Sequence, residues 1–215
     1  MTERDVLHSL MGPPNPEGRF YGVTVGIVTN NQDPDGLGRV KVHFPWLSDQ
    51  DESYWARIAT PMAGSMRGLY LLPEVNDEVL VAFEHGDVHF PYILGALWNG
   101  QDRPPETNSD GSNNRRTLRS RSGHIIRLDD TIGSEKIEII DRSAQNSIVI
   151  STSDNAITIT ANANITIQAG LGKLILQGNG VDIVSLSEIT LRANQNVDLQ
   201  AGLLLNIQGL IVNIN

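Results

Sequence analysis

Residues 157–212 read ITITANAN ITIQAGLG KLILQGNG VDIVSLSE ITLRANQN VDLQAGLL LNIQGLIV, seven consecutive eight-residue segments that share one pattern. We call each segment an octad. The first and third positions are apolar in every octad, except for Lys173 in the third octad, and the fifth position is small or polar. Alternation with a period of two is typical of a β-strand and not of a helix. Each octad is therefore predicted to be a short strand followed by a tight corner.

The apolar stripe of these short strands predicts an assembly of several chains. A single stripe on strands of this length cannot bury itself within one chain. A wide one-chain solenoid usually needs turns of roughly 20 residues or more, which an octad cannot supply. We therefore expect an intertwined homo-oligomer, most simply a trimer, with the stripe inward. The predicted trimer core consists of Ile157, Ile159, Ile165, Ile167, Ile183, Ile189, Leu191, Val197, Leu199, Leu205 and Ile207.

Lys173 interrupts the stripe and has two interpretations. A local slip of register around Gly170 and Gly172 would turn Leu174 and Leu176 inward instead. The alternative is an ion held among charged groups on the axis of the rod. We favour the slip, because a buried charge without a partner is costly.

Composition divides the chain into two parts. All eleven aromatic residues lie between Phe20 and Trp98, and no proline follows Pro105. The first part therefore has the mixed core of a compact β-domain, whereas the second has only slender side chains that suit a narrow rod. These shifts predict an N-terminal extension at 1–18, a barrel at 19–100, a linker or collar at 101–122 and a needle at 123–215.

Whole-chain properties exclude several classes. The net charge of −9 argues against a phosphate-binding surface, so no nucleic-acid partner is expected. The absence of cysteine excludes a disulfide framework. No apolar run approaches the roughly 18 residues of a membrane span, and residues 1–18 lack the apolar core of a signal peptide. We expect synthesis in the cytoplasm without a cleaved signal.

The first part carries readable strands. Residues 21–29, 38–44, 79–83 and 91–97 have strand patterns, separated by turn signals at 33–36 and 84–87. About five such strands without helical periodicity predict a small closed barrel, of the oligonucleotide/oligosaccharide-binding (OB) type.

Candidate metal ligands have simpler explanations. His85 and His89 flank a Gly-Asp turn, but a metal site would need a third ligand, so loop histidines are favoured. Asp33 and Asp35 resemble part of a calcium loop, yet Asp-Pro-Asp-Gly is ordinary turn chemistry. No metal site or cofactor is predicted.

Catalytic candidates are equally weak. A carboxylate pair for sugar hydrolysis would have to come from residues on a turn entering a strand, and no serine has the G-x-S-x-G context of a nucleophile. The carboxylates are Glu74, Asp77 and Glu78, and the serines are Ser65, Ser122 and Ser147. The basic cluster Arg115, Arg116, Arg119 and Arg121 is expected to pair with acids of neighbouring chains rather than with nucleic acid.

Several strings of this chain resemble one known family. They are GIVTNNQDPDGLGRVKVHFPWL, YWARIATPMAG, GLYLLPEVNDEVLVAFEHGD, PYILGALWNG, RSRSGHIIRLDD and EKIEIID, followed by the octads. Their order and type resemble the baseplate spikes of contractile machines. That family includes phage baseplate assembly protein V, the VgrG spikes of type VI secretion and the spikes of extracellular contractile injection systems.

The resemblance implies a fold and an assembly. It implies an all-β chain in which an OB-type barrel is followed by a trimeric, intertwined triple-stranded β-helix. Asn76 stands where the family usually has glycine, but asparagine tolerates positive φ, so we expect the turn to survive. The large hub domain of VgrG proteins is expected to come from a separate protein, bound by the barrel, and no lysozyme-like or effector domain is expected.

The resemblance also implies the function. We expect a non-enzymatic central spike, located in a virion tail baseplate or an injection particle, that pierces a cell envelope. The alternative is a tail-associated β-solenoid polysaccharide depolymerase. A tip protein of the PAAR type is expected to cover the end of the needle, in contact with Val212, Asn213, Ile214 and Asn215, because no histidine beyond His124 remains to hold a metal there.

Overall fold

The computed structural model describes residues 18–47 and 52–213. They belong to two units, of which the first ends at Asn162 and the second begins at Ala163. The described residues contain strands, turns and one short 3-10 segment, Glu84–Gly86. The all-β prediction is confirmed. Within the described ranges, no helix is long and apolar enough to cross a membrane.

The first unit begins with a barrel. Its strands pair in the order β2-β1-β6-β7-β3, with β3 parallel to β7 and the other pairs antiparallel. A bridge between Val40 and Ala56 joins the β2 side to the β3 side and closes the ring. A small hairpin, β4-β5, lies between β3 and β6. The strands are β1 (Val23–Asn30), β2 (Lys41–His43), β3 (Arg57–Ile58), β4 (Ala63–Gly64), β5 (Arg67–Gly68), β6 (Glu78–Phe83) and β7 (Pro91–Ala96).

The barrel interior is small and apolar. Strand β6 alternates between half-buried and buried residues, as expected of a strand with one face toward a core. Gly26 faces this interior, where an added Cβ would lie 3.2 Å from Val42 Cβ and from Val81 Cγ2. The buried residues are Val28, Val40, Val42, Phe44, Ala56, Val79, Val81, Phe83 and Ile93.

The main barrel strands and turns match the sequence predictions. The four predicted strands are present, although β2 is shorter than the predicted 38–44. The Asp33–Gly36 turn is closed by a hydrogen bond from Gly36 N to Asp33 O of 3.1 Å. Asn76 has a φ of 79°, and its N–H donates to the carbonyl of Val28 at 2.8 Å. Asparagine therefore does take the left-handed conformation that the turn requires.

A second sheet follows in the same unit. Its five strands are β8 (Arg115–Arg119), β9 (Ile125–Asp129), β10 (Lys136–Ile140), β11 (Ser147–Ser151) and β12 (Ala156–Thr160). They pair in sequence order, each antiparallel to the next, and we call this sheet the meander. Strand β8 lies inside the segment predicted as a linker.

The second unit has no strand among its described residues, and nearly the whole of it is exposed. Its backbone is extended and bends at regular intervals. The bends begin at residues 162, 170, 178, 186, 194, 202 and 210, so they recur every eight residues. The octad pattern in the sequence thus has a direct counterpart in the path of the chain.

Candidate assembly interface

The meander has one face of isoleucine and leucine. In the cross-strand register, Leu118, Ile126, Ile139, Ile148 and Ile159 form one row. A second row consists of Leu128, Ile137, Ile150 and Ile157. We call these nine residues the apolar face. Because successive side chains of a strand point to opposite sides, all nine lie on the same side of the sheet.

The opposite face is charged and covered. Glu106, which precedes the meander, reaches back over it and accepts hydrogen bonds from Thr117 Oγ1 at 2.8 Å and from Arg127 Nε at 3.0 Å. Arg127 is also 3.3 Å from Glu138, which in turn is 2.9 Å from Lys136. Asp129 and Glu138 on this face are only 5% and 6% exposed. We call it the charged face.

Asp129 is held as a carboxylate. The hydroxyl and backbone N–H of Thr131 donate hydrogen bonds to it, and Arg115 Nε lies 3.1 Å from its Oδ2. These contacts, with the Thr131 hydroxyl contributing most, lower the pKa of Asp129 from 3.8 to about 2 despite burial. The charged face is therefore a satisfied ion network and not an unpaired acid cluster.

The meander thus reverses the usual arrangement of a soluble chain. The strand acids Asp129 and Glu138 are covered, whereas Leu118, Ile126, Leu128, Ile137, Ile139, Ile148 and Ile150 are 39–50% exposed. Monomeric proteins rarely expose an apolar surface that is both large and contiguous, and such surfaces mark sites of association. The apolar face is therefore the candidate interface of this protein.

The predicted trimer-core residues lie in both units, with Ile157 and Ile159 in the first and the other nine in the second. In the single chain all eleven, from Ile157 to Ile207, are 53–70% exposed. Ile157 and Ile159 belong to both features, since they lie on β12 and on the apolar face. Lys173 is also exposed. Of the predicted tip-contact residues, Val212 and Asn213 are exposed, and Ile214 and Asn215 lie outside the described residues.

Sequence reasoning did not assign the first seven residues of the apolar face to the interface. The signal was present, because IIRLD, KIEII and SIVIS each alternate. These three strands begin at a constant spacing, at residues 125, 136 and 147, but that spacing is not the eight-residue pattern of the octads.

The barrel residues considered as metal ligands have partners close in sequence. His89 Nδ1 is 2.7 Å from Asp87 Oδ1, and His85 adopts a φ of 49° in the turn. Asp33 accepts hydrogen bonds from Arg39 Nε at 2.8 Å and from three backbone N–H groups, and the Arg39 guanidinium holds its pKa well below the usual range. Among residues 18–47 and 52–213, no group of three or more His, Asp or Glu side chains is arranged to hold a metal ion.

The three carboxylates weighed as catalytic each have a structural contact. Asp77 accepts the backbone N–H of Glu74 at 2.8 Å, as in a turn cap. The carboxylate of Glu74 pairs with Arg121 at 2.9 Å, and Glu78 accepts from Asn99 Nδ2 at 3.2 Å. These contacts favour a structural role.

Three arginines of the basic cluster, Arg115, Arg116 and Arg121, have ion pairs within the chain, and the expected pairing with neighbouring chains stays a prediction. Arg115 contacts Glu106 and Asp129, and Arg116 is 2.7 Å from Asp130. The antiparallel pairing of β8 with β9 places Asp129, and Asp130 after it, beside the arginines at the start of β8. Two of the serines considered as nucleophiles also have structural surroundings. Ser122 Oγ lies 3.3 Å from Ser120 Oγ, and Ser147 begins strand β11.

The amino-acid sequence of the barrel is similar to that of a known protein family. Residues 24–98 match the family model of the type VI secretion system/phage-baseplate injector OB domain. The barrel is therefore similar to an injector OB domain. Its closed β2-β1-β6-β7-β3 ring agrees with that assignment, and the expected OB-type barrel is confirmed.

The chain is also similar to parts of longer proteins. The chain is 32% identical over 132 residues to the type VI secretion system spike protein VgrG3 of Vibrio cholerae, covering 58% of this chain and 13% of that protein. It is 32% identical over 126 residues to the spike protein VgrG1a of Pseudomonas aeruginosa, covering 54% and 20%. It is 34% identical over 98 residues to the actin cross-linking toxin VgrG1 of Vibrio cholerae, covering 44% and 9%.

These similarities confirm the resemblance to VgrG-like baseplate and injection-system spikes. The chain spans a fifth or less of the length of these relatives. The similarity is therefore to a part of each relative, and it supports a structural role in such a spike.

Proposed function

We propose that this protein is the central spike of a contractile tail baseplate or injection device, formed by three copies of the chain. The observation that carries the proposal is the exposed apolar face of the meander in the first unit, and the second unit, which follows it in sequence, exposes an apolar octad stripe of its own. Three copies would turn these surfaces toward a common axis and leave the charged faces outward. The octads would then wind into a triple-stranded β-helix.

The proposed assembly explains mechanical function. A lone chain in the second unit has no strand partner among its described residues, so its backbone groups would pair with neighbouring chains. Separating one chain would break hydrogen bonds and apolar contacts along the whole length at once. A rod of this construction resists bending, and that resistance would let it pierce an envelope when the tail contracts.

We further propose two partners. The barrel retains every aromatic residue of the chain, including half-exposed Trp46 and more exposed Tyr54 and Phe90, and aromatic residues are typical anchors of interfaces. It is the part that would seat the spike under a separate hub protein. A PAAR-type tip protein would cover Val212, Asn213, Ile214 and Asn215. A fragment ending near residue 108 should retain the hub, and the full chain should retain a PAAR-type protein in pull-downs.

The comparisons do not favour a polysaccharide depolymerase. In the octads acids occur singly, at Asp182, Glu188 and Asp198, whereas sugar hydrolysis uses a pair of carboxylates. We therefore propose a non-enzymatic protein located in the tail or the injection device.

The direct test of this role is cryo-electron microscopy of intact particles that contain the chain. We expect density for three copies on the tail axis at the baseplate, with barrels toward the tail tube and octads pointing away from it. Particles in which the chain lies off the axis, or is present in one copy, would contradict the proposal. Deleting the chain should abolish envelope penetration while contraction remains possible.

A further inference from the structure

The meander and the octads depend on association to different degrees. Every strand of the meander is hydrogen-bonded to a neighbour within the same chain. The described residues 163–213 contain no strand pair. One copy of the meander therefore lacks only a cover for its apolar face, whereas the octads lack both a cover and their backbone partners.

The octads cannot define their own alignment. They repeat one pattern seven times, so a neighbouring chain displaced by one octad would still place apolar residues against apolar residues. Alignment of strands is weakly specified wherever alternative pairings satisfy the same pattern. Information that selects one register must come from a part of the chain that does not repeat.

The meander is such a part. Its four turns, residues 120–124, 130–135, 141–146 and 152–155, contain five, six, six and four residues and differ in sequence. No single spacing therefore runs through all five strands. Its apolar face has two rows of fixed composition, bounded on the other side by the ion network around Glu106 and Arg127. A displaced copy would leave isoleucines of one row uncovered, so only one alignment buries the whole face.

The chain segment that follows the last strand of the meander is also held in place. Asp141 accepts hydrogen bonds from the backbone N–H and the side-chain Nδ2 of Asn146, at 3.2 and 3.0 Å. The side-chain Oδ1 of Asn146 then accepts the backbone N–H of Asn162 at 3.0 Å. Asn162 follows β12, whose Ile157 and Ile159 are also the first apolar pair of the octads. These contacts hold the residues that follow β12 in a fixed position on the meander.

We infer that the apolar face of the meander is a trimerisation clamp, which binds two further copies of this chain. The clamp forms before the octads associate, and it sets the register in which they wind. The inference rests on the proposed trimer. Hairpins with short turns have local contacts and form quickly, whereas interchain strands require prior association. Folding of the octads then depends on prior association of the meanders, whereas the meanders associate without the octads.

This dependence predicts an asymmetry between two substitutions in the full chain. Ile139→Asp places three carboxylates within the clamp, and Leu191→Asp places three within the octads. Thr158→Asp and Thr190→Asp add the same charge one residue away from an apolar position, on the opposite side of the strand, and serve as matched controls. Native mass spectrometry reports the number of copies, and hydrogen exchange reports protection at 115–160 and 163–213. The fluorescence of Trp55 and its neighbours reports whether the barrel is folded.

We expect Leu191→Asp to remain trimeric with a protected meander and to lose protection in the octads around the substitution. Ile139→Asp should become monomeric and lose protection throughout 163–213, with the barrel still folded. A trimeric Ile139→Asp variant with protected octads, or a monomeric Leu191→Asp variant, would overturn the clamp while leaving the proposed trimer intact. A monomeric wild-type chain would instead overturn the proposed function itself.

Discussion

Asn76 is a residue whose backbone conformation decides which side chains are tolerated. Its φ of 79° lies in the left-handed region, which costs most L-residues about 1–2 kcal/mol. Asn76→Val should therefore lower the free energy of unfolding by about that amount, whereas Asn76→Gly should leave it equal or slightly higher. Urea denaturation followed by tryptophan fluorescence measures both. A valine variant as stable as the wild type would show that the turn does not need this conformation.

Asp129 makes stability depend on pH. Its pKa is lowered from 3.8 to about 2 in the folded chain, mainly by the Thr131 hydroxyl, so the unfolded chain binds protons more readily. The stabilisation is complete above about pH 4 and is lost as the pH falls toward 2. Asp129→Asn should melt at a lower temperature than the wild type at pH 7, and the difference should shrink below pH 4.

The matched control for this prediction is Asp130→Asn. Asp130 is the neighbouring acid and makes a more exposed ion pair with Arg116, with the two side chains 64% and 55% exposed. Exposed pairs contribute little, so this variant should melt close to the wild type across the pH range. A gap between wild type and Asp129→Asn that stays constant from pH 7 to pH 2 would contradict the account of Asp129.

Strand β7 contains two neighbouring residues whose side chains differ in burial. Ile93 is completely buried in the barrel, whereas Leu94 is 46% exposed on its outer surface. Ile93→Ala should reduce the free energy of unfolding of the barrel by about 2–5 kcal/mol, because it removes buried methyl groups and leaves a cavity. Leu94→Ala should cost much less. Equal losses for the two variants in chemical denaturation would mean that the barrel core is not where the structure places it.

At the scale of elements, the sequence predicted the strands whose pattern alone determines them. Strand β1 alternates, strands β6 and β7 are apolar runs that follow turn signals, and all three were expected. Strand β8 was not, because RRTLR has one large apolar residue and its strand conformation depends on pairing with β9. The two-residue strands β3, β4 and β5 are too short to carry a pattern.

The candidate interface was predicted only where it repeats. Ile157 and Ile159 were identified through the octads, but Ile137 and Ile150 were not, because their strands lie outside the eight-residue pattern. Pairing within the meander places all four in one row of the apolar face. That relation between distant segments is a property of the sheet and cannot be read from the spacing along the chain.

At the scale of the whole molecule, the account depends on a surface that one copy cannot bury. The apolar face and the octad stripe together expose isoleucine, leucine and valine along much of residues 118–207. Because this burial is apolar, the assembly should resist salt, unlike one held by exposed ion pairs. We expect the number of copies to be the same at about 0.1 M and about 1 M salt, measured by sedimentation equilibrium. Dissociation at high salt would indicate an electrostatic interface instead.

The most direct test of the central claim is the mass of the native assembly of the purified full chain. Native mass spectrometry should give three times the chain mass of 23.5 kDa, without a folded single copy at micromolar concentration. A stable, folded species of 23.5 kDa, with the same protection from hydrogen exchange in residues 163–213 as the assembly, would contradict the account.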